Sequence, residues 1–239
     1  MWTAKVITLF PEVFPGVLGS SLVGKALGKS WNIETVDLRE FGTGVHRSVD
    51  DTPVGGGPGM VIKPDILASA LQSTQETIDE KPDSWPVVFL SPRGKLFDQS
   101  TAKKWSTCKG ITLICGRYEG VDERFFQATG AEEISMGDFV LSGGEIAAQA
   151  LIEATVRLIP NVLGNFESTE NESFICGLLE HPHYTRPRVW NGLSVPEILL
   201  TGHHENIAQW RKSKAEELTR LRRPDLWQKY CEQKAETNI

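Results

Sequence analysis

Short apolar runs alternate with longer apolar-periodic stretches through residues 1–160, and that alternation predicts strands and helices in turn. Val6-Ile7-Thr8-Leu9 predicts a strand, Val13 to Leu27 a helical segment after Pro11, and Trp31 to Leu38 a second strand of two-residue period. Pro64 to Ile78 predicts a helix opened by proline and aspartate. Pro86-Val87-Val88-Phe89-Leu90 and Ile111 to Cys115 are bounded and rich in β-branched or aromatic residues, as buried strands are. A last long periodic segment opens after Ser142-Gly143-Gly144 and stops at Pro160; Ser142 and Glu145 have capping-box spacing, so the helix is expected to start at Gly143. Strands alternating with helices imply an α/β fold with a mainly parallel sheet. Beyond Pro160 the texture turns polar and aperiodic from Asn161 to Glu172, which reads as an interdomain linker. A smaller, mainly helical unit follows, patterned at Val195 to Thr201, from about Glu205 to Arg222, and again after Pro224.

Three apolar runs lead into turns: Pro86 to Leu90 into Ser91-Pro92-Arg93-Gly94, Ile111 to Cys115 into Gly116-Arg117-Tyr118-Glu119-Gly120, and Phe139-Val140-Leu141, within the stretch from Met136 to Gly144, into Ser142-Gly143-Gly144. Ligands of open α/β sheets collect outside the carboxyl ends of strands, so these turns could line one pocket. Glycine lets backbone approach a planar ligand closely because it has no Cβ. Either glycine loop alone reads equally as a tight turn. Two of them, with Arg117, Glu119, Asp122, Glu123, Arg124 and Asp138 inside, point to a ligand floor. Neither ends in Gly-Lys-Ser/Thr and neither reads G-x-G-x-x-G, which excludes the usual nucleotide fingerprints. The span from Phe41 to Lys63, with Gly55-Gly56-Gly57-Pro58-Gly59-Met60, is long for a compact domain and reads as a lid or as a disordered excursion.

Length and composition bound this picture without changing it: 239 residues at 40% hydrophobic content bury a good core in one large or two smaller domains. Four separated cysteines, Cys108, Cys115, Cys176 and Cys231, with no C-x-x-C, argue against a zinc knuckle or a disulfide framework and fit a reduced cytoplasmic compartment. No apolar run reaches membrane-spanning length, so no membrane partner is expected. A net charge of −6 is unpromising for nucleic-acid binding as a whole. Locally, Arg211, Lys212, Lys214, Arg220, Arg222 and Arg223 form a basic run that reads as a solvated helix face or as an RNA-binding patch. His181-Pro182-His183-Tyr184-Thr185-Arg186-Pro187 reads as a rigid corner or as a further RNA contact.

Four motifs carry a resemblance. Gly116-Arg117-Tyr118-Glu119-Gly120-Val121-Asp122-Glu123-Arg124, the stretch from Ser135 to Glu145, Gly177-Leu178-Leu179 with Pro182 to Pro187, and Thr201-Gly202-His203-His204 resemble the bacterial tRNA (guanine-N1)-methyltransferases of the TrmD type. Ile7-Thr8-Leu9-Phe10-Pro11 and the Gly55 to Met60 loop match as well, so the resemblance spans nearly the whole chain. It implies a SPOUT fold, an α/β domain whose C-terminal part is tied in a deep trefoil knot, followed by a small mainly helical C-terminal domain. Topology rules alone would have rejected a knot. It also implies a homodimer with an active site shared between subunits, S-adenosylmethionine as methyl donor, Mg²⁺ as a possible cofactor, and tRNA as substrate. The target is the guanine just 3′ of the anticodon, preceded by another guanine. Weaker readings are a catalytically silent RNA-binding dimer and a related knotted enzyme acting on ribosomal RNA.

Carried over motif by motif, the resemblance assigns residues 1–160 to the catalytic domain, 161–173 to the linker and 174–239 to tRNA binding. Leu90, Ser91, Pro92, Gly116, Tyr118, Glu119, Gly120, Met136, Gly137, Asp138, Phe139, Val140, Leu141, Gly143 and Gly144 would hold the donor. His183, Arg186, Lys212, Arg220, Arg222 and Arg223 would grip the anticodon stem-loop, and Arg157 would face the guanine O6. The general base is an aspartate in the family. This chain departs from it, with Glu172 at that position and Glu170 as the nearby alternative. Val54 and Phe139 stand where tyrosine is common, and Ala147 where proline is.

Overall fold

The computed structural model describes residues 1–76, 78, 85–164 and 172–237. They form two compact units, Met1–Gly164 and Asn165–Ile239. The first is built on a five-stranded sheet in the order β2-β1-β6-β5-β7, with β1 Trp2–Thr8, β2 Trp31–Asp37, β5 Val87–Leu96, β6 Gly110–Cys115 and β7 Glu132–Ser135. Every neighbouring pair is parallel. Parallel strands need crossovers, and these put helices on both faces.

The two-residue period of the strands sorts their side chains between two cores. Trp2, Ala4 and Val6 of β1, Val88 and Leu90 of β5, and Ile111, Leu113 and Cys115 of β6 pack one face. That face is covered by α1 (Ser21–Ala26), α3 (Gln99–Ser106) and α5 (Glu145–Val156), which contribute among others Val23, Trp105, Leu151 and Ile152. Ile7, Phe89 and Ile114 point the other way, under α2 (Pro64–Gln75) and α4 (Arg124–Thr129), with Ile66, Leu67, Leu71 and Phe125. Val162, beyond Pro160, is also buried in the first core, so this unit extends past the proline.

Several expected boundaries move. Val13 to Leu27 is not one helix: 3-10 turns at Pro11–Val13 and Gly16–Gly19 precede α1, because Pro15 and the glycines interrupt it. The helix from Pro64 ends at Gln75. Ser91 to Gly94 does not end its strand. The chain bulges there and rejoins the sheet, so that Leu90 and Lys95 both face Ile134 of β7. Gly94 makes this possible, since a Cβ there would lie 2.3 Å from the Ile134 amide nitrogen. α3, capped by the Asp98 carboxylate on the Thr101 amide at 2.8 Å, and α4 were not anticipated. The long 41–63 span contains a short antiparallel pair, β3 (Asp50–Asp51) and β4 (Val61–Ile62).

The second unit contains a tight hairpin, β8 (Val189–Trp190) and β9 (Leu193–Ser194), turning on Asn191 and Gly192 with φ of 51° and 76°. Two-residue turns with both φ positive match the twist of a hairpin. A 3-10 turn at Glu197–Leu200 replaces the helix expected there, and α6 (His204–Arg222) and α7 (Pro224–Thr237) follow. Thr219 of α6 is buried and accepts the Leu179 amide at 2.8 Å, and Tyr230 of α7 donates to Glu216 of α6 at 3.0 Å. Of the expected linker, residues 165–171, Glu170 among them, lie outside the described residues.

Candidate active site

The bulge of β5 and the carboxyl ends of β6 and β7 open into a cleft of about 300 Å³, within the size of small-ligand sites. Its floor is backbone. After Cys115 the chain turns through Tyr118 (φ 57°) and Gly120 (φ 112°), closed by the Gly120 amide on the Arg117 carbonyl at 3.1 Å. The turn before α5 is stitched to this loop by the Gly144 amide on the Gly116 carbonyl at 3.0 Å. A Cβ on Gly144 would lie 2.7 Å from the Cys115 Cα, so the two segments touch because residue 144 has no side chain. Ser135 clamps the third segment: its Oγ accepts the Gly137 amide and donates to the Gly137 carbonyl, both at 3.1 Å.

Of the residues expected to hold the donor, Leu90, Ser91, Pro92, Gly116, Tyr118, Glu119, Gly120, Met136, Phe139, Val140, Leu141, Gly143 and Gly144 line this one cleft. Gly137 and Asp138 lie outside its lining. The glycine-rich span hangs on the cleft's edge, where the Glu119 amide donates to the Met60 carbonyl at 3.0 Å and the Ile62 amide to the Gly120 carbonyl at 2.9 Å.

The charges around the cleft are mostly spoken for. Arg93 reaches Glu133 at 3.0 Å and Glu123 at 2.9 Å, tying the bulge of β5 to β7 and to the start of α4. Asp122 and Arg124 pair with each other, and that hydrogen bonding holds the Asp122 carboxyl down to about 2. Burial first, and then the neighbouring Glu145, pushes the Cys115 thiol well above its ordinary range against the opposing effect of Arg117, so Cys115 is no nucleophile. Glu145 departs from expectation. α5 begins at Glu145 with Gly144 as N-cap and no side-chain cap, so Ser142 and Glu145 form no capping box. The Glu145 carboxylate is drawn instead to Thr8 and Arg117, donors from distant segments. Sequence reasoning gave Glu145 only a capping role, counted Arg117 among the loop charges without a partner and gave Arg93 none; the signal available was a charged residue inside or beside each glycine loop.

Arg157 is half-buried just beyond the last turn of α5, its amide on the Glu153 carbonyl. That is the helix end away from Gly144, about 18 Å by helical rise. Glu172 belongs to the second unit and is half-buried, its carbonyl accepting the Ile175 amide. Within that unit Arg186, Lys212, Arg220 and Arg222 are exposed. His183 is exposed too and pairs with Glu180 at 2.8 Å, and Arg223 is tied to Asp225 by bonds of 2.9 and 2.6 Å. Among the described residues no cluster of acids, imidazoles or thiols could hold a metal ion, and no helix is long and apolar enough to cross a membrane.

Comparison with known proteins decides what the cleft belongs to. The profile of the tRNA (Guanine-1)-methyltransferase TrmD family matches residues 1–229. The chain belongs to that family. Among curated relatives named tRNA (guanine-N(1)-)-methyltransferase, one from Cereibacter sphaeroides is 61% identical over 96% of this chain and 93% of its own length. One from Ruegeria pomeroyi is 57% identical over 96% and 94%, and one from Bartonella bacilliformis 53% identical over 98% of both chains. The matched residues include all of the first unit and the second as far as residue 229, so the cleft and α6 both lie within the family match.

Proposed function

We propose that this protein transfers a methyl group from S-adenosylmethionine to N1 of a guanine in tRNA, the guanine just 3′ of the anticodon. The observation that carries the reading is membership of the TrmD family over residues 1–229 together with a cleft floored by the glycine loops at Gly116 and Gly144. The residues fit the donor. A backbone floor at Gly116 and Gly144 accepts a planar base, and Leu90, Met136 and Leu141 offer apolar walls. Bound there, the donor supplies an electrophilic methyl on a sulfonium.

The remaining chemistry falls to side chains. N1 of neutral guanine carries a proton, so it becomes nucleophilic only as that proton leaves and negative charge moves toward O6. Glu172 takes the proton, and the Arg157 guanidinium stabilises the charge at O6. One such oxyanion contact is worth about 3 kcal/mol where it has been removed from other enzymes. Glutamate in place of aspartate keeps the base but moves it by a methylene, so its backbone must sit further from the target.

The active site is shared in a homodimer. Arg157 stands one helix length from its own cleft, and an antiparallel pairing of α5 with a second copy brings it over the partner's. The exposed apolar residues Val13, Val17, Leu22 and Ile146 support such a face, with Gln149 of α5 bonded to the Val13 carbonyl. The threaded C-terminal part of the catalytic domain belongs to the same reading. Its support is membership of the TrmD family over residues 1–229. The second unit, with Arg186, Lys212, Arg220 and Arg222 exposed, and with His183 and Arg223, grips the stem-loop phosphates. Among the described residues no group of three or more acids, imidazoles or thiols is placed to hold a metal ion, and no step here is routed through Mg²⁺.

Incubation with S-adenosylmethionine labelled in the methyl group and anticodon stem-loops with or without the adjacent guanine pair tests the reading. Label entering only the first RNA is expected. Label in neither, with cofactor bound, would favour the silent dimer, whose one supporting observation is Glu172 in the aspartate position.

A further inference from the structure

We propose that Glu145 is a positioning residue for the methyl donor, its buried carboxylate holding Arg117 and thereby the spacing of the two glycine loops that floor the cleft. The inference rests on the donor-cleft reading above. Glu145 is 4% exposed, yet it carries a carboxylate at the first residue of α5. One oxygen accepts the Thr8 hydroxyl at 2.8 Å and the Arg117 Nε at 3.3 Å, and the other accepts Arg117 Nη2 at 2.8 Å. Arg117 in turn donates from Nη1 to the Ser142 carbonyl at 3.2 Å and lies over the Phe10 ring, 4.4 Å from its centroid. Thr8 also receives the Phe10 amide at 3.0 Å. One carboxylate therefore ties together the end of β1, the loop after β6, the turn before α5 and the helix itself.

Stability alone does not explain this arrangement. A buried ion pair is seldom more stabilising than apolar residues of the same volume, because desolvating two charges offsets their attraction. What it supplies is direction: the guanidinium fork accepts only one geometry of carboxylate and carbonyl. Gly143 records the constraint, since a Cβ there would lie 2.1 Å from Arg117 Nε. Arg117 and Gly143 both line the cleft, so the fork crosses the floor that the donor lies on. Without the Glu145 charge, Arg117 loses its carboxylate anchor and its hold on the Ser142 carbonyl loosens, leaving the Gly144 to Gly116 backbone bond and core packing to set the loop spacing.

Calorimetric titration of the full-length protein with S-adenosylmethionine and with S-adenosylhomocysteine tests this, alongside steady-state kinetics on tRNA. Glu145→Gln should raise both dissociation constants by about tenfold or more, as expected when binding geometry is lost. With the donor saturating, kcat should change less than about threefold, because the reacting groups are untouched. Thr8→Val should raise the constants and Thr8→Ser, which keeps the hydroxyl, should restore them. Ile152→Val, buried in the same helix, serves as the purely structural control and should lower Tm without moving either constant. Should Glu145→Gln fail to fold, the Thr8 pair decides the matter. Parent-like constants in Glu145→Gln, equal constants in Thr8→Val and Thr8→Ser, or a matching rise in Ile152→Val would overturn the proposal alone. A parent protein that binds neither ligand would overturn the donor reading and this proposal with it.

Discussion

Gly144→Ala isolates steric contact from backbone conformation. Gly144 has φ −80° and ψ −9°, ordinary values for any residue, so alanine meets no conformational penalty there. Its Cβ, however, would stand 2.7 Å from the Cys115 Cα and 3.0 Å from the Gly116 nitrogen. Carbon contacts settle at about 3.5 to 4.0 Å, so the start of α5 and the end of β6 must part by roughly 1 Å. Both segments are anchored in one core through Cys115, Ala147 and Ala148, and overpacking of this kind costs about 1 to 3 kcal/mol. In a chain of this size each kcal/mol lowers Tm by about 2 to 4 °C. The cleft floor moves with the segments, and a displacement of about 1 Å at a reacting site can cost on the order of a hundredfold in rate. Differential scanning calorimetry and kcat/KM on tRNA measure the two effects. Gly120→Ala is the contrast: φ is 112° and nothing stands within 4 Å of the new Cβ, so its cost is strain without displacement of β6. A Gly144→Ala variant that melts with the parent and keeps its kcat/KM would show that this backbone crossing does not set the cleft.

Four further expectations follow from named groups. Arg157→Ala should slow single-turnover methyl transfer on the order of a hundredfold while tRNA affinity moves little; equal losses in both would recast Arg157 as a binding residue. Glu172→Gln should leave donor affinity near the parent value and abolish turnover, and a variant as fast as the parent would remove Glu172 as the base. Arg220→Ala should weaken tRNA binding and lower the slope of log K against log salt by about one, whereas an unchanged slope would take Arg220 off the RNA. Asp98→Ala should cost about 1 kcal/mol at neutral pH through the lost cap on α3. Hydrogen bonds from Thr101 hold the folded Asp98 carboxyl below its ordinary value, so its contribution is present above the unfolded value and is lost as pH falls through the folded one. Urea midpoints of parent and variant should therefore converge in acid, and a constant gap would contradict the assignment.

Strands β1, β2, β5 and β6 were legible because apolar or alternating runs of strand length need no knowledge of their partners, whereas β7, Glu132-Glu133-Ile134-Ser135, has a single apolar residue and was not. The turns at Gly116 and Gly144 were legible for the same reason. Features made by residues far apart were not. The capping-box spacing of Ser142 and Glu145 is a local signal, and it lost to Thr8 and Arg117, which the fold delivers from 137 and 28 positions away. Likewise Ser91 to Gly94 carries turn residues, yet β5 continues to Leu96 because β7 offers a second stretch of edge to pair with. Helix α3 is short and polar outside Ala102 and Trp105, so its period was too brief to register, although Asp98 three residues before Thr101 was a usable start signal. The residues assigned to the cleft came from motif resemblance, and geometry explains why those motifs are glycine-rich: Gly116 and Gly144 are where backbone lies against its neighbours.

The central claim is that a ring nitrogen of a tRNA guanine, N1, receives the methyl group. Nuclease digestion of tRNA after reaction with the purified protein and S-adenosylmethionine, followed by nucleoside mass spectrometry against authentic standards, reads this directly. The account predicts 1-methylguanosine, located immediately 3′ of the anticodon and absent when Glu172 is replaced by glutamine. Methylation at N2, at N7 or at a ribose hydroxyl, or methyl label appearing in another stem, would contradict it.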